Sequence, residues 1–351
     1  ATFLFNLQLG KESIENGNAR VVVVGGAEAP ITPEVIDGFF AISALSDDKR
    51  MLELQSQLNE PSNKPNQRKA CRPFGDNIGM VMGESAQFVI LMDEDLALEL
   101  GAKIYASVQA VASHADGFKK SISGPGVGNY ITLAKCVAEA SQQLSSKSLK
   151  NETYVHAHGT GTPANRTSES HVLDEIAKVF GIKSWPVTAI KSYLGHSMAV
   201  AAGDQLNCVL GTWNNGIIPR IHSITEVAED VFNDNLNFLT EDRVEDPNFY
   251  KGAFLNAKGF GGNNASALIL GPEFTFSQIK KRYTKKALKL YEQKLENTRK
   301  SVLKYNENAS KGVYKTIYKF NHEVLEGMED LEITKEKIKL KGYKKAINLK
   351  S

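Results

Sequence analysis

The chain has few of the features that mark secreted, membrane or disulfide-linked proteins. It contains only three cysteines and two tryptophans among 351 residues, and no two cysteines have CxxC spacing. A small, odd number of cysteines argues against a disulfide framework and favours a reducing compartment. The sequence contains no run of about 18 apolar residues, so no membrane span is predicted. The first residues also lack the basic region and cleavage pattern of a signal peptide. These absences predict a cytoplasmic protein.

The residues that are present describe a globular body with a differently charged tail. Apolar residues make up 42% of the chain and charged residues 23%, which is ordinary for an enzyme with a large buried core. From Pro272 to Ser351 there are 20 Lys and Arg against 10 Asp and Glu, whereas the rest carries 22 basic and 30 acidic residues. The basic tail suits either docking of an acidic partner or a solvated lysine-rich helix. It lacks the aromatic residues of a nucleic-acid module, so no nucleic acid partner is predicted.

Alternating strand and helix patterns along the chain predict a layered α/β fold. The β-branched run over Arg20–Gly26 is typical of a strand inside a covered sheet, and the polar stretch Asp47–Ala70 is predicted to be a surface insertion. The tail predicts a helix between Phe274 and Leu303, then an edge strand. The other predicted helices are Thr2–Glu15, Asp93–Gly101, Ser123–Leu144, Ser168–Phe180 and Met198–Gly203, and the other strands are Gly79–Met82 beside Gln87–Met92, and Ile104–Ser113.

Two short runs near the middle of the chain carry histidines directly after apolar strands. The run from Tyr154 is predicted to end a buried strand, with His158-Gly-Thr-Gly-Thr-Pro163 following at its edge, and the other strand, Val187–Ile190, is followed by Lys191 and His196. Two strand ends would deliver two imidazoles and one ammonium to one place. Such a group of side chains suits chemistry on a carbonyl group.

Three ordered motifs resemble those of one enzyme family. The two histidine loops are similar to those of the β-ketoacyl-acyl-carrier-protein synthases, the condensing enzymes of the thiolase-like fold. Lys258–Ser266 resembles the glycine-rich closing loop of that family. The likeness covers Ala1 to Gly271 and implies a five-layer αβαβα fold. It divides the chain into the remainder of an N-terminal half over 1–150, a C-terminal half over 151–271 and a basic extension over 272–351.

The resemblance also implies roles for individual residues. His158 and His196 would promote decarboxylation and stabilise an enolate, and a buried Lys191–Glu169 pair would orient them. Phe260 would act as a gate whose backbone N–H completes an oxyanion hole. Thr160 and Thr162 would hydrogen-bond a pantetheine arm. The complete set of implied substrate-binding residues is Thr160, Thr162, Ser121, Gly261 and Asn263.

Several of these residues also have interpretations other than these roles. His156 is predicted to be a core residue rather than a catalytic one. The histidines at 156, 158, 171 and 196 lack a carboxylate or thiolate at ligand spacing, so no metal is predicted. Gly124–Gly128 has no following Lys-Ser/Thr and fits the loop beside the pantetheine tunnel better than a phosphate loop. Lys258 stands where the family usually has an aromatic residue, and Asn263 where it has threonine, which leaves chain-length preference open.

None of the cysteines matches the family nucleophile. Cys71 lies in a segment similar to a family Ser-Arg-Pro stretch, whereas Cys136 and Cys208 fall in apolar helices and are predicted to be buried thiols. Counting back from Gly25-Gly-Ala-Glu28 places the nucleophilic cysteine directly before Ala1. The chain is therefore expected to be the C-terminal part of a longer protein, with the first helix activating that thiol. A natural variant without the nucleophile is the alternative.

The expected function is that of an acyltransferase: a β-ketoacyl-acyl-carrier-protein synthase that condenses an acyl primer with malonyl-carrier protein in fatty acid synthesis. A polyketide-type ketosynthase and a non-catalytic, chain-length-factor-like partner remain alternatives. The expected partners are acyl carrier protein, acyl and malonyl thioesters and a second copy of the chain. No cofactor is expected beyond the phosphopantetheine arm or CoA that carries the substrate. The tail resembles that of a bacterial branch that starts synthesis from acetyl-CoA.

Overall fold

The computed structural model describes residues 1–118, 126–313, 328–343 and 345–349. The chain forms two compact units, Ala1–Thr298 and Arg299–Ser351. The α-helices are α1 Thr2–Glu15, α2 Pro33–Ala41, α3 Asp48–Gln57, α4 Glu94–Leu100, α5 Gly128–Gln143, α6 Ser146–Asn151, α7 Pro163–Phe180, α8 Lys191–Leu194, α9 Ala201–Asn215, α10 Pro272–Arg282 and α11 Lys285–Ser310. The strands are β1 Val21–Glu28, β2 Ser85–Met92, β3 Ser107–Ala115, β4 Thr153–His156, β5 Trp185–Thr188, β6 Ile217–Ile218, β7 Leu236–Phe238, β8 Arg243–Val244, β9 Gly252–Gly259, β10 Asn263–Leu270, β11 Leu331–Ile333, β12 Lys337–Leu340 and β13 Ile347–Asn348.

A six-stranded mixed sheet forms the centre of the first unit. Its strand order is β3-β10-β9-β4-β5-β7. The neighbouring pairs β9–β4, β4–β5 and β5–β7 are parallel, whereas the pairs β3–β10 and β10–β9 are antiparallel. The loops after β4 and β5 therefore leave the same edge of the sheet, and these are the two histidine loops. The sequence prediction that two strand ends meet in one place is confirmed.

Successive residues of the central strands enter two different hydrophobic cores. Phe254 packs with α5 and α7 on one face, whereas Leu255, the next residue of β9, packs with α1 and α9 on the other. This period of two is the ordinary geometry of a strand covered on both sides. The second core continues through α1 to Val24 of β1. The described chain thus has four layers: the β1–β2 pair, α1 with α9, the six-stranded sheet, and α5 with α7. The predicted layered α/β class is confirmed, whereas the described residues form four layers and not the five predicted.

The β1–β2 pair differs from its prediction. Its strands are antiparallel, from Val21 opposite Met92 to Glu28 opposite Ser85. Only one face is covered, because Val24 is buried while Val23 and Ile90 are each 65% exposed. The expectation that β1 lies inside a covered sheet is therefore wrong for the described chain.

The expectation of a strand at Gly79–Met82 beside β2 is also wrong. Met80 and Met82 form isolated bridges to Leu45 and His196 instead. Two glycines permit these crossings: a Cβ at Gly79 would lie 2.4 Å from the Leu45 carbonyl carbon, and one at Gly83 would lie 2.3 Å from the Leu194 oxygen. The segment is thus drawn against the second histidine loop rather than into a sheet.

Helix ends follow ordinary capping chemistry. The Asp93 side chain accepts the Leu96 N–H at the start of α4, and Gly101 and Gly181 end α4 and α7 in the left-handed conformation. Helix α7 begins at Pro163, five residues before its predicted start, because proline suits a first helical turn. The predicted exit loop over 191–196 contains the short helix α8, and α3 occupies part of the predicted insertion.

The helix predicted between Phe274 and Leu303 is present as two helices, α10 and α11, and α10 with the first part of α11 belongs to the first unit. Ile279 of α10 and Tyr291 of α11 are buried with Leu98. In the second unit, β11, β12 and β13 form a three-stranded antiparallel sheet, so the predicted edge strand belongs to this small sheet. In the described ranges, no helix combines the length and apolar character needed to cross a bilayer.

Candidate active site

A cavity of about 1000 Å³ opens where the two histidine loops leave the sheet. His158 and His196 line it, and so do Ala1 and Thr2 at the start of α1. The amino end of a helix carries a partial positive charge, which favours an anion or thiolate nearby. The structure therefore places both predicted imidazoles and the predicted activating helix around one space.

The two imidazoles are close together and buried. Their ring centroids are 5.3 Å apart and their planes meet at 83°. His158 is 5% exposed and His196 9%. Burial lowers the pKa of both rings well below the ordinary value, and the positive charge of Lys191 lowers each pKa further. Both rings are therefore neutral near pH 7, and each has one N–H to donate.

The tautomer of His196 follows from one hydrogen bond. The backbone N–H of Met198 donates to His196 Nδ1 at 3.0 Å. Because Nδ1 is the acceptor in this bond, the proton of the neutral ring is on Nε2. This nitrogen can therefore donate a hydrogen bond to a developing oxyanion.

Lys191 and Glu169 hold His158 through its backbone. The Lys191 ammonium donates to the His158 carbonyl oxygen at 2.5 Å. The Glu169 carboxylate accepts the N–H groups of His158 at 2.7 Å and Gly159 at 2.9 Å. The predicted buried pair of Lys191 and Glu169 meets at the main chain of the histidine loop: no ion pair between described residues joins the two side chains, and each binds backbone groups instead. Burial lowers the pKa of Lys191 to about 8, against the opposing effect of the Glu169 charge.

Sequence reasoning missed the amides and carboxylate behind the imidazoles. Asn256 donates to Glu169 at 2.7 Å, and Asn129 donates to Asn256 at 2.6 Å. Beside His196, Asp204 accepts the Ser197 hydroxyl at 2.5 Å and the Ser85 hydroxyl at 2.6 Å. A polar residue inside an otherwise apolar strand, such as Asn256 in β9, was the available signal, since a buried amide requires partners.

The predicted substrate-binding residues fall in different places. Thr160 and Thr162 line the cavity, and their hydroxyls are 3.0 Å apart. Phe260 also lines it, is 54% exposed, and has its ring 5.7 Å from that of Phe39. Of the described residues, Gly261 and Asn263 are not part of the cavity wall. They form the turn after Phe260, where Asn263 donates to the Phe260 carbonyl at 3.3 Å.

Two further predictions concern Ser121 and the glycine-rich loop before α5. Ser121 lies outside the described residues, and so does the first part of Gly124–Gly128. Gly126, which is described, lines the cavity. The predicted role of Ser121 stays a prediction.

The cysteines of the chain are not on the cavity wall that the structure describes. Cys71 is 6% exposed, and its thiol lies 3.8 Å from the Thr160 carbonyl oxygen. Burial raises the pKa of Cys71 to about 11, and it raises the pKa of Cys136 and of Cys208 to about 12. Thiols with raised pKa values are poor nucleophiles near pH 7.

His156 packs in the interior, behind the cavity. It is fully buried, and neither ring nitrogen has a hydrogen-bond partner. Burial lowers the pKa of His156 to about 3, and the Lys191 charge contributes to this shift. In the described ranges, no group of three or more His, Cys, Asp or Glu side chains is placed to hold a metal ion.

Two family models match the chain. Residues 2–97 match the N-terminal domain of β-ketoacyl synthase, and residues 105–225 match its C-terminal domain. Together the two models cover more than half of the chain. The N-terminal model ends at residue 97 and the C-terminal model begins at residue 105.

Curated relatives and solved structures point the same way. The chain is 48% identical over 299 residues to β-ketoacyl-[acyl-carrier-protein] synthase FabY of Pseudomonas aeruginosa, covering 85% of this chain and 46% of the relative. It is 29% identical over 257 residues to 3-oxoacyl-[acyl-carrier-protein] synthase 2 of Staphylococcus aureus, covering 72% and 56%. The crystal structure of the P. aeruginosa ketosynthase FabY superposes with a TM-score of 0.91 at 44% identity, covering 100% of this chain and 54% of that one.

A more distant neighbour shares the fold alone. The type II polyketide ketosynthase complex AntDE:AntF has a TM-score of 0.62 at 23% identity, covering 76% of this chain and 60% of that one. The chain spans about half the length of the curated relatives it matches. These likenesses confirm the thiolase-like fold.

Proposed function

The chain belongs to the β-ketoacyl synthase family, and from that premise we propose that the protein catalyses a decarboxylative Claisen condensation in fatty acid synthesis. An acyl group passes from its carrier thioester to a cysteine thiol, and the carrier thiol leaves. Malonyl-carrier protein then loses CO2 and becomes an enolate. The C2 carbon of the enolate attacks the acyl-cysteine carbonyl, the cysteine thiolate departs, and a 3-oxoacyl thioester remains.

The neutral pair His158 and His196 is the observation that carries this proposal. Decarboxylation places negative charge on the thioester oxygen of the extender, and hydrogen-bond donors that are already in position lower that barrier. The Nε2–H of His196 is such a donor, because Met198 occupies Nδ1. His158 lies edge to face beside it. Their lowered pKa values keep the rings neutral, so each donates a hydrogen bond without first carrying a charge.

The remaining residues support these two. The backbone of His158 is fixed by Glu169 and Lys191, and a fixed backbone limits how far the ring can drift from the reacting atoms. Lys191 also supplies the positive charge that lowers both imidazole pKa values. Thr160 and Thr162 offer hydroxyls to a pantetheine arm, and Phe260 stands at the exposed side of the cavity.

The nucleophile is proposed to be a cysteine at the amino end of α1. Ala1 and Thr2 lie on the cavity wall with both imidazoles, which supports this position. The three thiols of the chain have raised pKa values and lie off the described wall, which disfavours them. A protein without that cysteine would be a decarboxylase or a non-catalytic partner. The polyketide alternative is supported by fold likeness only.

Partners and setting are proposed from the family. Acyl carrier protein would deliver both substrates, with CoA as an alternative carrier for the primer, and no further cofactor would take part. A homodimer is expected, because condensing enzymes pair through elements near the nucleophile. A reducing, cytoplasmic setting fits three cysteines that are all free thiols.

The test uses the full-length protein mixed with acyl-CoA and malonyl-carrier protein. Intact-mass spectrometry should detect an acyl adduct on the protein and then a 3-oxoacyl product on the carrier. An adduct on Cys71, Cys136 or Cys208 would contradict the proposed nucleophile. CO2 release without any acyl adduct would identify the decarboxylase instead.

A further inference from the structure

One charged side chain on the cavity wall has no part in the condensation described above. Lys258 is on β9, two residues before Phe260, and its ammonium donates to the Ser168 hydroxyl of α7 at 2.9 Å. Lys258, Ser168 and His158 line the same cavity. Burial is the main cause of the lowered pKa of His158, and the charge of Lys258 makes the smallest of the named contributions to it.

The other charged groups around the cavity define the local balance of charge. Lys258 is the one lysine or arginine side chain among the described residues that line it, whereas Glu28 and Asp116 contribute carboxylates. Asp116 accepts the Gly128 N–H at 3.0 Å and the Asn264 amide at 2.7 Å. Lys191 lies behind the wall, bound to the His158 carbonyl. An anionic substrate group that entered the cavity would find its side-chain cation at Lys258.

The two substrates of a condensation differ in charge at this point. The acyl primer is neutral, whereas the malonyl extender carries a carboxylate until CO2 leaves. Both enter on the same kind of pantetheine arm, so the arm cannot distinguish them. A partly buried ammonium on the wall of the same cavity can, because hydrogen bonds between oppositely charged groups are about twice as strong as neutral ones.

We propose that Lys258 is a specificity-determining residue that binds the carboxylate of the malonyl extender beside His158. This inference rests on the proposed condensation. The contact exists in the ground state and ends when the C–C bond breaks and CO2 departs. It therefore strengthens extender binding without lowering the barrier, and its loss should raise KM while kcat is kept or increased.

The decisive experiment varies the lysine and the ligand carboxylate together. Malonyl-pantetheine and its methyl ester, which lacks the charge, are titrated into the full-length protein and its Lys258→Met variant by calorimetry. Both proteins carry His196→Ala so that the ligand is not consumed. Lys258→Met should weaken malonyl-pantetheine binding by about 10- to 100-fold, as expected for a hydrogen bond to a charged group, and change methyl ester binding less than about twofold.

Two further variants control this measurement. Lys258→Arg keeps the charge and should recover most of the affinity. Lys251→Met removes a lysine just before β9 whose ammonium binds the Asn248 carbonyl at 3.0 Å, and it should change neither ligand. Equal losses for both ligands would overturn the proposal, since Lys258 would then contact the arm. No loss for either ligand would overturn it as well.

The outcome separates this inference from the proposed function. Turnover is measured with His196 intact, on malonyl-carrier protein. If the protein condenses its substrates but the effect of Lys258→Met on binding does not depend on the ligand carboxylate, the role of Lys258 alone is rejected. A carboxylate-dependent loss in a protein that forms no 3-oxoacyl product would reject the condensation and leave Lys258 as an anion-binding residue.

Discussion

The cavity has two walls that are built in opposite ways. The histidine wall consists of His158 and His196 with the buried groups that hold their backbones. The phenylalanine wall consists of α2, which has no buried residue, and Phe260, which is 54% exposed. One wall is fixed by charge-assisted hydrogen bonds, whereas the other rests on an aromatic contact at 5.7 Å. Donors for chemistry need fixed positions, and a passage for substrates needs parts that can move cheaply.

Removing the carboxylate behind the histidine wall should have the largest effect. Glu169→Ala leaves the buried Lys191 ammonium without its nearest compensating charge and frees the N–H groups of His158 and Gly159. Loss of one partner from a buried charged network costs about 3–5 kcal/mol, so we expect a loss of that size in urea unfolding. Glu175→Ala, on the partly exposed side of the same helix, is the control and should cost less than about 0.5 kcal/mol. A small loss for Glu169→Ala would mean that the histidine wall is not fixed as described.

Removing one donor from the histidine wall should abolish one step and spare another. His196→Ala is expected to lower malonyl decarboxylation by about 10²- to 10³-fold, the usual cost of an oxyanion donor. Acyl loading should remain nearly intact. CO2 release and adduct mass measure the two steps separately. His222→Ala, on an exposed histidine stacked on Tyr193, is the control. Lost loading with preserved decarboxylation would reverse the assigned roles.

The buried imidazole of His156 should make the free energy of unfolding depend on pH. Because the folded-state pKa of His156 is lowered to about 3, the unfolded chain binds a proton first as the pH falls below about 6.5. Stability contributed by this residue is complete above pH 6.5 and is lost progressively toward pH 3. His156→Leu should therefore make the protein less acid-sensitive by about 2 kcal/mol between pH 7 and pH 5, measured by urea unfolding. An unchanged pH profile would show that His156 has a partner in solution.

Substitutions on the phenylalanine wall should reduce the free energy of unfolding least. Phe260→Ala removes an exposed ring and should cost less than about 1 kcal/mol. It should nevertheless alter the KM for acyl thioesters, because the ring stands at the exposed side of the cavity. Phe254→Ala, in β9 shortly before Phe260 and fully buried, should cost about 3–5 kcal/mol. If both variants lose the same stability, the contrast between the two walls fails.

The sequence predicted features that depend on the pattern within one segment and on strand direction, and it did not predict hydrogen bonds between distant segments. The helix α1, its end at Asn16, and the meeting of the two histidine loops followed from periodicity and from the direction of parallel strands. Lys191 and Glu169 were predicted to pair, but the contact of both side chains with the backbone of residue 158 was not, because no sequence spacing reveals a main-chain partner. Gly79–Met82 has the composition of a strand, but crossings at two glycines draw it to Leu45 and His196.

Asn256 shows a second limit. Its amide joins Glu169 to Asn129 across three elements, and such a network depends on tertiary contacts that a single sequence does not display. The motif beside it was recognisable, whereas the local signal for the amide was its place as a polar residue in an apolar strand, which does not name its partners. Residues that hold a site are harder to predict than residues that occupy it.

The open face of the β1–β2 pair affects how the polypeptide must be handled at the bench. This face exposes four large apolar side chains, those of Val21, Val23, Phe88 and Ile90. In the described chain, β1 and β2 pair only with each other. A two-stranded sheet of this kind favours aggregation, because its outer edges can pair with strands of other molecules. Stock solutions of residues 1–351 alone should therefore turn cloudy with increasing concentration, and light scattering before any assay would show whether colloidal particles are consuming the sample.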